Sequence, residues 1–225
     1  MNIFEILGPI MVGPSSSHTA GAVRIGRMAR TLLGENPTEA MIYLHGSFAD
    51  TGRGHGTDRA LVAGLLGMMP SDLRVPDSLR LAQEQGIRIS FDTVELREAH
   101  PNTAVLKVTG ENGRQLGMQA CSVGGGRILV TELNGIAVSF TGDFNTLLVQ
   151  SRDAYGTVAE VTQLLYQSQI NIANMSMCRH KRGGDVLMII ETDQRIPPVL
   201  LLWLNELSGV LSVTYYDHSL EEDNA

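Results

Sequence analysis

The chain has 225 residues, 43% of them hydrophobic and 18% charged, with a formal net charge of −7 and two cysteines. That length accommodates two modest domains or one large one around a hydrophobic core, and the acidic balance argues against nucleic acid, whose binding is driven by cationic contacts to phosphate. No apolar stretch approaches the ~20 residues that span a bilayer, and the N-terminus lacks the basic flank and apolar core of an export signal, so a soluble cytoplasmic protein without membrane contact is expected.

The run Gly13-Pro14-Ser15-Ser16-Ser17-His18-Thr19, followed by Ala20, Gly21 and Ala22, leads into Val23, Ile25, Met28, Leu32 and Leu33 at helical spacing, which predicts a helix to Leu33. A Ser or Thr at a helix entrance caps free N–H groups. The same groups and the helix dipole favour a carboxylate there. One serine would suffice as a cap; three with a histidine exceed that need. Residues 41–44 then predict a short strand ending at His45-Gly46-Ser47. Thr51-Gly52-Arg53-Gly54-His55-Gly56-Thr57-Asp58 reads as a glycine-rich turn opening a helix over 59–66, with Thr57 and Asp58 able to cap it. A helix over 78–85 precedes alternating strand patterns at 87–94, 104–108, 115–122 and 127–130, and a turn at Gly135 precedes a strand over 136–140.

Thr141-Gly142-Asp143 is the expected boundary, giving a first domain over 1–142 and a second over 145–220. In the second, strand 146–150, helix 157–168, strands 170–179 and 185–192 joined by Lys181-Arg182-Gly183-Gly184, a helix opened by Pro197-Pro198, and strand 210–216 spell βαββαβ, a ferredoxin-like unit. The acidic tail from Glu221 is expected to fray, and His180 and His218 read as surface residues.

Chemistry concentrates in polar, glycine-containing islands of the first domain: the Ser/His run, His45-Gly46-Ser47, the Gly54 to Asp58 segment, His100-Pro101-Asn102-Thr103, and Ser122-Val123-Gly124-Gly125-Gly126. Four of the six histidines, His18, His45, His55 and His100, lie there. An imidazole titrating near neutrality suits proton abstraction or donation, although each also reads as an ordinary loop histidine. The spacing of His45 and His55 matches no familiar metal-ligand pattern. The triple glycine lacks the following Lys-Ser/Thr of a phosphate loop, so nucleotide binding is rejected. Cys121 and Cys178, far apart, build neither a four-thiolate cluster nor a Cys-rich zinc site, and both read as reduced, buried, small apolar residues.

Taken together in this order, the Ser/His run, Gly52 to Asp58, His100-Pro101-Asn102 and Ser122 to Gly126 resemble the β component of bacterial iron–sulfur-dependent L-serine dehydratase, and the second domain resembles an ACT domain. The resemblance covers essentially the whole chain and implies an α+β protein: an N-terminal allosteric-substrate-binding-like α/β domain and a ferredoxin-like ACT domain. It also implies a lyase acting on L-serine to give pyruvate and ammonia, inactive alone, whose partner α chain carries the [4Fe–4S] cluster on its own cysteines. No metal is expected on this chain, a monovalent cation is possible, and the ACT domains suggest a homodimer. The implied catalytic residues are His55, as general base or proton relay, with His18 and His100. The implied substrate-binding residues are Ser16, Ser17, Thr19, Ser47, Thr57, Asn102, Gly124 and Gly125. In the ACT domain, Asp153, Tyr155, Gly156, Asn171 and Asn174 are the effector-binding candidates, although Tyr155 stands where the common pattern has proline. Two other readings compete. One is a non-catalytic amino-acid sensor resembling the regulatory domains of 3-phosphoglycerate dehydrogenase. The other is a hydrolase using Ser17 and His18, which adjacent side chains and the missing nucleophile elbow disfavour.

Overall fold

The structure is a computed structural model that describes residues 11–179, 181 and 183–218, with Arg53 described by its backbone. The expectations for His180, Arg182 and the tail from Glu221 lie outside the described residues. The chain divides between Thr141 and Gly142 into two compact units.

In the first unit, Ser15 adopts an extended conformation and its hydroxyl accepts the His18 backbone N–H, capping a π-helical turn over Ser16–Gly21. The turn runs straight into α1 (Ala22–Leu33), which ends at a left-handed Gly34. Such wide turns are rare and frequently mark functional sites. The sequence predicts an ordinary α-helix here; the difference arises because small residues let the turn pack closely, as at Gly21, where a Cβ would lie 2.1 Å from the Ser122 hydroxyl. β1 (Pro37–Leu44) leads through His45 and Gly46 into α2 (Ser47–His55) and α3 (Thr57–Leu65), and α4 (Ser78–Glu84) precedes β2 (Arg88–Thr93). The expected glycine-rich turn is therefore a correction: α2 runs through Gly52 and Gly54, and only Gly56, at φ +73°, breaks the two helices apart. Tertiary packing of the fully buried Phe48 offsets the ~1 kcal/mol that each interior glycine costs a helix.

β3 (Thr103–Gly110), β4 (Gln115–Gly124), β5 (Arg127–Leu133) and β6 (Ile136–Phe140) complete a sheet ordered β2-β1-β3-β4-β5-β6. Only β1 and β2 pair in parallel, because the helices between them form a crossover, whereas the later strands follow one another antiparallel. Alternation puts Ala40, Ile42, Leu106, Val108, Met118 and Val130 on the buried face. The helical layer is tied together by glycine: a Cβ on Gly26 would lie 2.1 Å from the Leu61 carbonyl oxygen, and one on Gly64 2.1 Å from that of Val23, so α1 and α3 touch backbone to backbone. On the opposite face Tyr43 and Lys107 stack, the ammonium 5.4 Å from the ring centre.

The second unit is the expected βαββαβ: β7 (Asn145–Arg152), α5 (Thr157–Gln167), β8 (Ile172–Arg179), β9 (Asp185–Thr192), α6 (Pro198–Asn205) and β10 (Val210–Tyr216). Its sheet, ordered β10-β7-β9-β8, is antiparallel throughout and packs Leu147, Val149, Met188 and Ile190 against Val161, Leu165, Leu200 and Leu204 of the helices. His218 is half-buried and gives its backbone N–H to Asn145. No helix among the described residues is long and apolar enough to cross a membrane.

Candidate active site

Four islands of the first unit meet at one margin of its sheet, where β1 ends, β3 begins and β4 ends. The topology does this: Leu44 pairs with Ala104 and Thr103 with Cys121, so the loops beyond these residues are neighbours. Gly46, at φ +53°, packs on Pro101, where a Cβ would lie 2.8 Å from the carbonyl oxygen. The Ser122 backbone N–H donates to the Asn102 carbonyl at 3.0 Å. The π-helical turn lies against this margin through the contact of Gly21 with Ser122.

His18 is the hub. Its Nε2 lies 3.2 Å from the Ser47 hydroxyl and 3.1 Å from the Thr51 hydroxyl, both on α2, and its Nδ1 lies 3.4 Å from the Ser15 hydroxyl. Its ring meets Phe48 edge-on at 5.3 Å and His55 at 5.0 Å between centroids. Burial first, and then the charge of His55, push the His18 pKa below the ordinary histidine value, against a hydrogen bond to the Ser47 backbone that favours the proton. Both effects favour the neutral imidazole of His18. His55 ends α2 with its side chain exposed, and with Gly13, Thr19, Gly54, Gly56 and Arg59 it lines a cavity of about 200 Å³. Arg59 gives that wall a cationic side chain. Gly54 also lines a second cavity of about 420 Å³ beside Asp50 and Asp92, and a Cβ on Gly54 would touch nothing within 4 Å.

The remaining candidates fall into groups. Ser16, Ser17 and Ser47 are half-buried at the turn and the start of α2, and Asn102 is half-buried beside Gly46. Gly124 and Gly125, at φ +101° and +61°, form an open hairpin where an added Cβ would meet no heavy atom within 4 Å, and Arg24 fastens its base through the Gly126 carbonyl at 3.1 Å. Thr19 and Thr57 are 3% and 0% exposed, and neither hydroxyl has a hydrogen-bond partner among the described residues, so both point inward. His100 and His45 are turned to the backbone: His100 Nδ1 accepts the Asn102 N–H at 3.1 Å, and His45 Nδ1 lies 3.2 Å from the Val94 carbonyl and 3.3 Å from the Leu96 nitrogen. From His55, Asn102 is separated by the length of α2, about 12 Å for its eight rises of 1.5 Å. Sequence reasoning missed Ser15, Thr51 and Arg59. Thr51 sits four residues before His55 and four after Ser47, a helical spacing legible only if the segment is recognised as a helix.

In the second unit Asp153, Tyr155 and Arg179 line a cavity of about 460 Å³. The Asp153 carboxylate accepts from Arg179 and from the Gly183 N–H, each at 2.8 Å, while Tyr155 is fully exposed. Gly156, at φ +91°, opens α5. Asn171 and Asn174 do not join this cavity: they donate to Asp193 at 2.6 Å and Glu191 at 2.9 Å, and Asn174 stands five residues, about 17 Å of strand, before Arg179.

A family profile described as serine dehydratase beta chain matches residues 2–85, and an ACT domain profile matches 145–207. Over 213 residues the chain is 42% identical to the probable L-serine dehydratase, beta chain, of Bacillus subtilis, covering 95% of this chain and 96% of that one. The chain belongs to the L-serine dehydratase β-chain family. It is 40% identical to the L-serine dehydratase, beta chain, of Peptoniphilus asaccharolyticus, covering 85% of this chain and 86% of that one. A D-3-phosphoglycerate dehydrogenase of Bacillus subtilis is 24% identical over 87% of this chain but only 37% of its own.

An iron–sulfur cluster, which the family resemblance implies, does not fit the residues of this β chain. A [4Fe–4S] cluster takes four thiolates. The sequence has Cys121, buried in β4 with its thiol pKa pushed up by that burial, and Cys178, in β8 of the other unit. Cys178 is half-buried rather than fully buried as expected. Among the described residues no three His, Cys, Asp or Glu side chains gather as metal ligands.

Proposed function

We infer that this chain is the β component of an L-serine dehydratase, converting L-serine to pyruvate and ammonia, and that the margin around His18 forms one wall of an active site completed by an α chain that holds the cluster. The observation that carries this is identity of 42% extending over nearly the full length of both chains. The beta-chain names of the relatives support a second, different chain. The sensor reading is not favoured, because its relative is 24% identical and is matched over 37% of its length.

Losing water from serine requires that the α-proton pass to a base while the β-hydroxyl departs. Two imidazoles, one half-buried and one exposed at the cavity, suit the proton half of that task. His18 accepts or relays the proton and His55 exchanges it with the cavity. Ser16, Ser17 and Ser47 grip the carboxylate or ammonium of the substrate, and Arg59 adds a cation to the cavity that His55 lines. His100 and Asn102 shape the bordering loop, and Gly124 and Gly125 leave room for the α chain. The ACT unit dimerises along β8, one of the two edge strands of its sheet, or receives an effector at Asp153 and Arg179.

Co-expression with the α chain, followed by anaerobic measurement of pyruvate from serine with each chain alone and with both, tests the reading. Turnover only with both is expected. Full turnover by the α chain alone would overturn it. In the reconstituted complex, near-normal activity of His55→Ala would remove His55 from the proton path.

A further inference from the structure

We propose that Thr51 is a positioning residue that fixes the tautomer of His18, keeping its proton on Nε2 and leaving Nδ1 as the basic nitrogen. The proposal rests on the reading of His18 as part of the active site. The Thr51 hydroxyl has one proton, and it donates that proton to the Ser47 carbonyl one helical turn back at 2.8 Å. Its oxygen therefore meets His18 Nε2, 3.1 Å away, as an acceptor, and Nε2 must carry the hydrogen. The Ser47 hydroxyl oxygen, 3.2 Å from the same nitrogen, shares that hydrogen, which frees its own proton to turn toward a ligand.

The other edge of the ring is consistent. The Ser15 oxygen already accepts the His18 backbone N–H at 3.2 Å, so its hydroxyl proton is available to the unprotonated Nδ1 at 3.4 Å. Turning the ring over would set a carbon against the Thr51 oxygen. A neutral imidazole has one donor and one acceptor nitrogen, and which is which is set by the hydrogen bond the donor makes. Here α2 takes the donor edge, and the acceptor edge faces the cap of the π-helical turn. Neither Ser15 nor Thr51 needs to touch substrate for this. They decide which nitrogen can take a proton from it.

Nitrogen-15 spectra of the full chain, labelled at histidine and with His18 assigned by its loss in His18→Asn, give the direct test. The expected spectrum has a pyrrole-type Nε2 and a pyridine-type Nδ1 for neutral His18. Thr51→Val, which keeps the shape and removes the acceptor, is expected to give a mixture of tautomers, and Thr51→Ser to restore the single one. In the α/β complex Thr51→Val should lower kcat by roughly ten- to a hundredfold with little change in KM, the scale of a misplaced catalytic group, and Thr51→Ser should recover most of it. A proton found on Nδ1 in the parent chain, or an unchanged spectrum in Thr51→Val, overturns the proposal. If Thr51→Val does not fold, the parent spectrum and Ser47→Ala decide, since the latter must keep the proton on Nε2. Spectra as expected with no serine turnover from any complex would uphold the tautomer and sink the proposed function instead.

Discussion

The corner formed by the π-helical turn and α2 differs from the neighbouring margin of β1 and β3 in what its histidines touch. His18 bonds to side chains on another element and faces a second imidazole at 5.0 Å. His45 and His100, in loops of the same composition, spend Nδ1 on nearby backbone groups. A ring held by backbone alone fastens a loop, whereas one that also meets hydroxyls can pass a proton along. The difference teaches that position across the fold, not local sequence, decides whether a histidine ring meets hydroxyls or only backbone.

The strongest way to break this comparison is to exchange its members. In the reconstituted complex His18→Asn should reduce serine turnover on the order of a hundredfold or more, the usual share of a general base, with His100→Ala staying within a few-fold of the parent. Equal losses would erase the distinction. Next in size is Gly54→Leu. A larger side chain there enters open space where the two cavities share a wall, while improving helix propensity by up to ~1 kcal/mol. KM for serine should rise severalfold while the melting temperature holds or climbs, and an unchanged KM would remove both cavities from the substrate's path. His45→Ala sharpens the other side: losing its backbone partners should cost about 1–2 kcal/mol in urea denaturation, with pyruvate formation retained.

The smallest effect is in pH. The folded pKa of His18 lies below its unfolded value, so the unfolded chain takes up a proton first as pH falls below about 6.5. Stability tied to neutral His18 is therefore fully present above that pH and lost as pH drops toward the lowered folded value. Denaturation midpoints at two pH values either side of that window should differ less in His18→Asn than in the parent. An equal difference would mean that other groups govern the acid limb.

Much of the architecture was legible. Two-residue alternation marked the strands from β2 to β6, and element lengths alone spelled βαββαβ after residue 145. What failed has physical causes. Gly52 and Gly54 made the segment before Gly56 look like a turn, because propensity ignores the burial of Phe48 that holds α2 together. That error hid Thr51, whose place beside His18 depends on helical spacing. The triple serine advertised a cap, and Ser15 is that cap, but nothing in the run signals a π-helical turn, which needs the contact of Gly21 with Ser122, far along the chain. Arg59 drew no attention as the first residue of an expected helix, since only the folded cavity gives it company.

The crossing of α1 and α3 through Gly26 and Gly64 has a mechanical outcome. With peptide groups in direct contact and no side chains between them to compress, the two helices form a stiff strut joining the exit of the π-helical turn to the segment that follows His55. Neither end can shift without dragging the other. The spacing of the two imidazoles is thereby set by the scaffold, and in edge-on contact at 5.0 Å they present one joint surface rather than a gap.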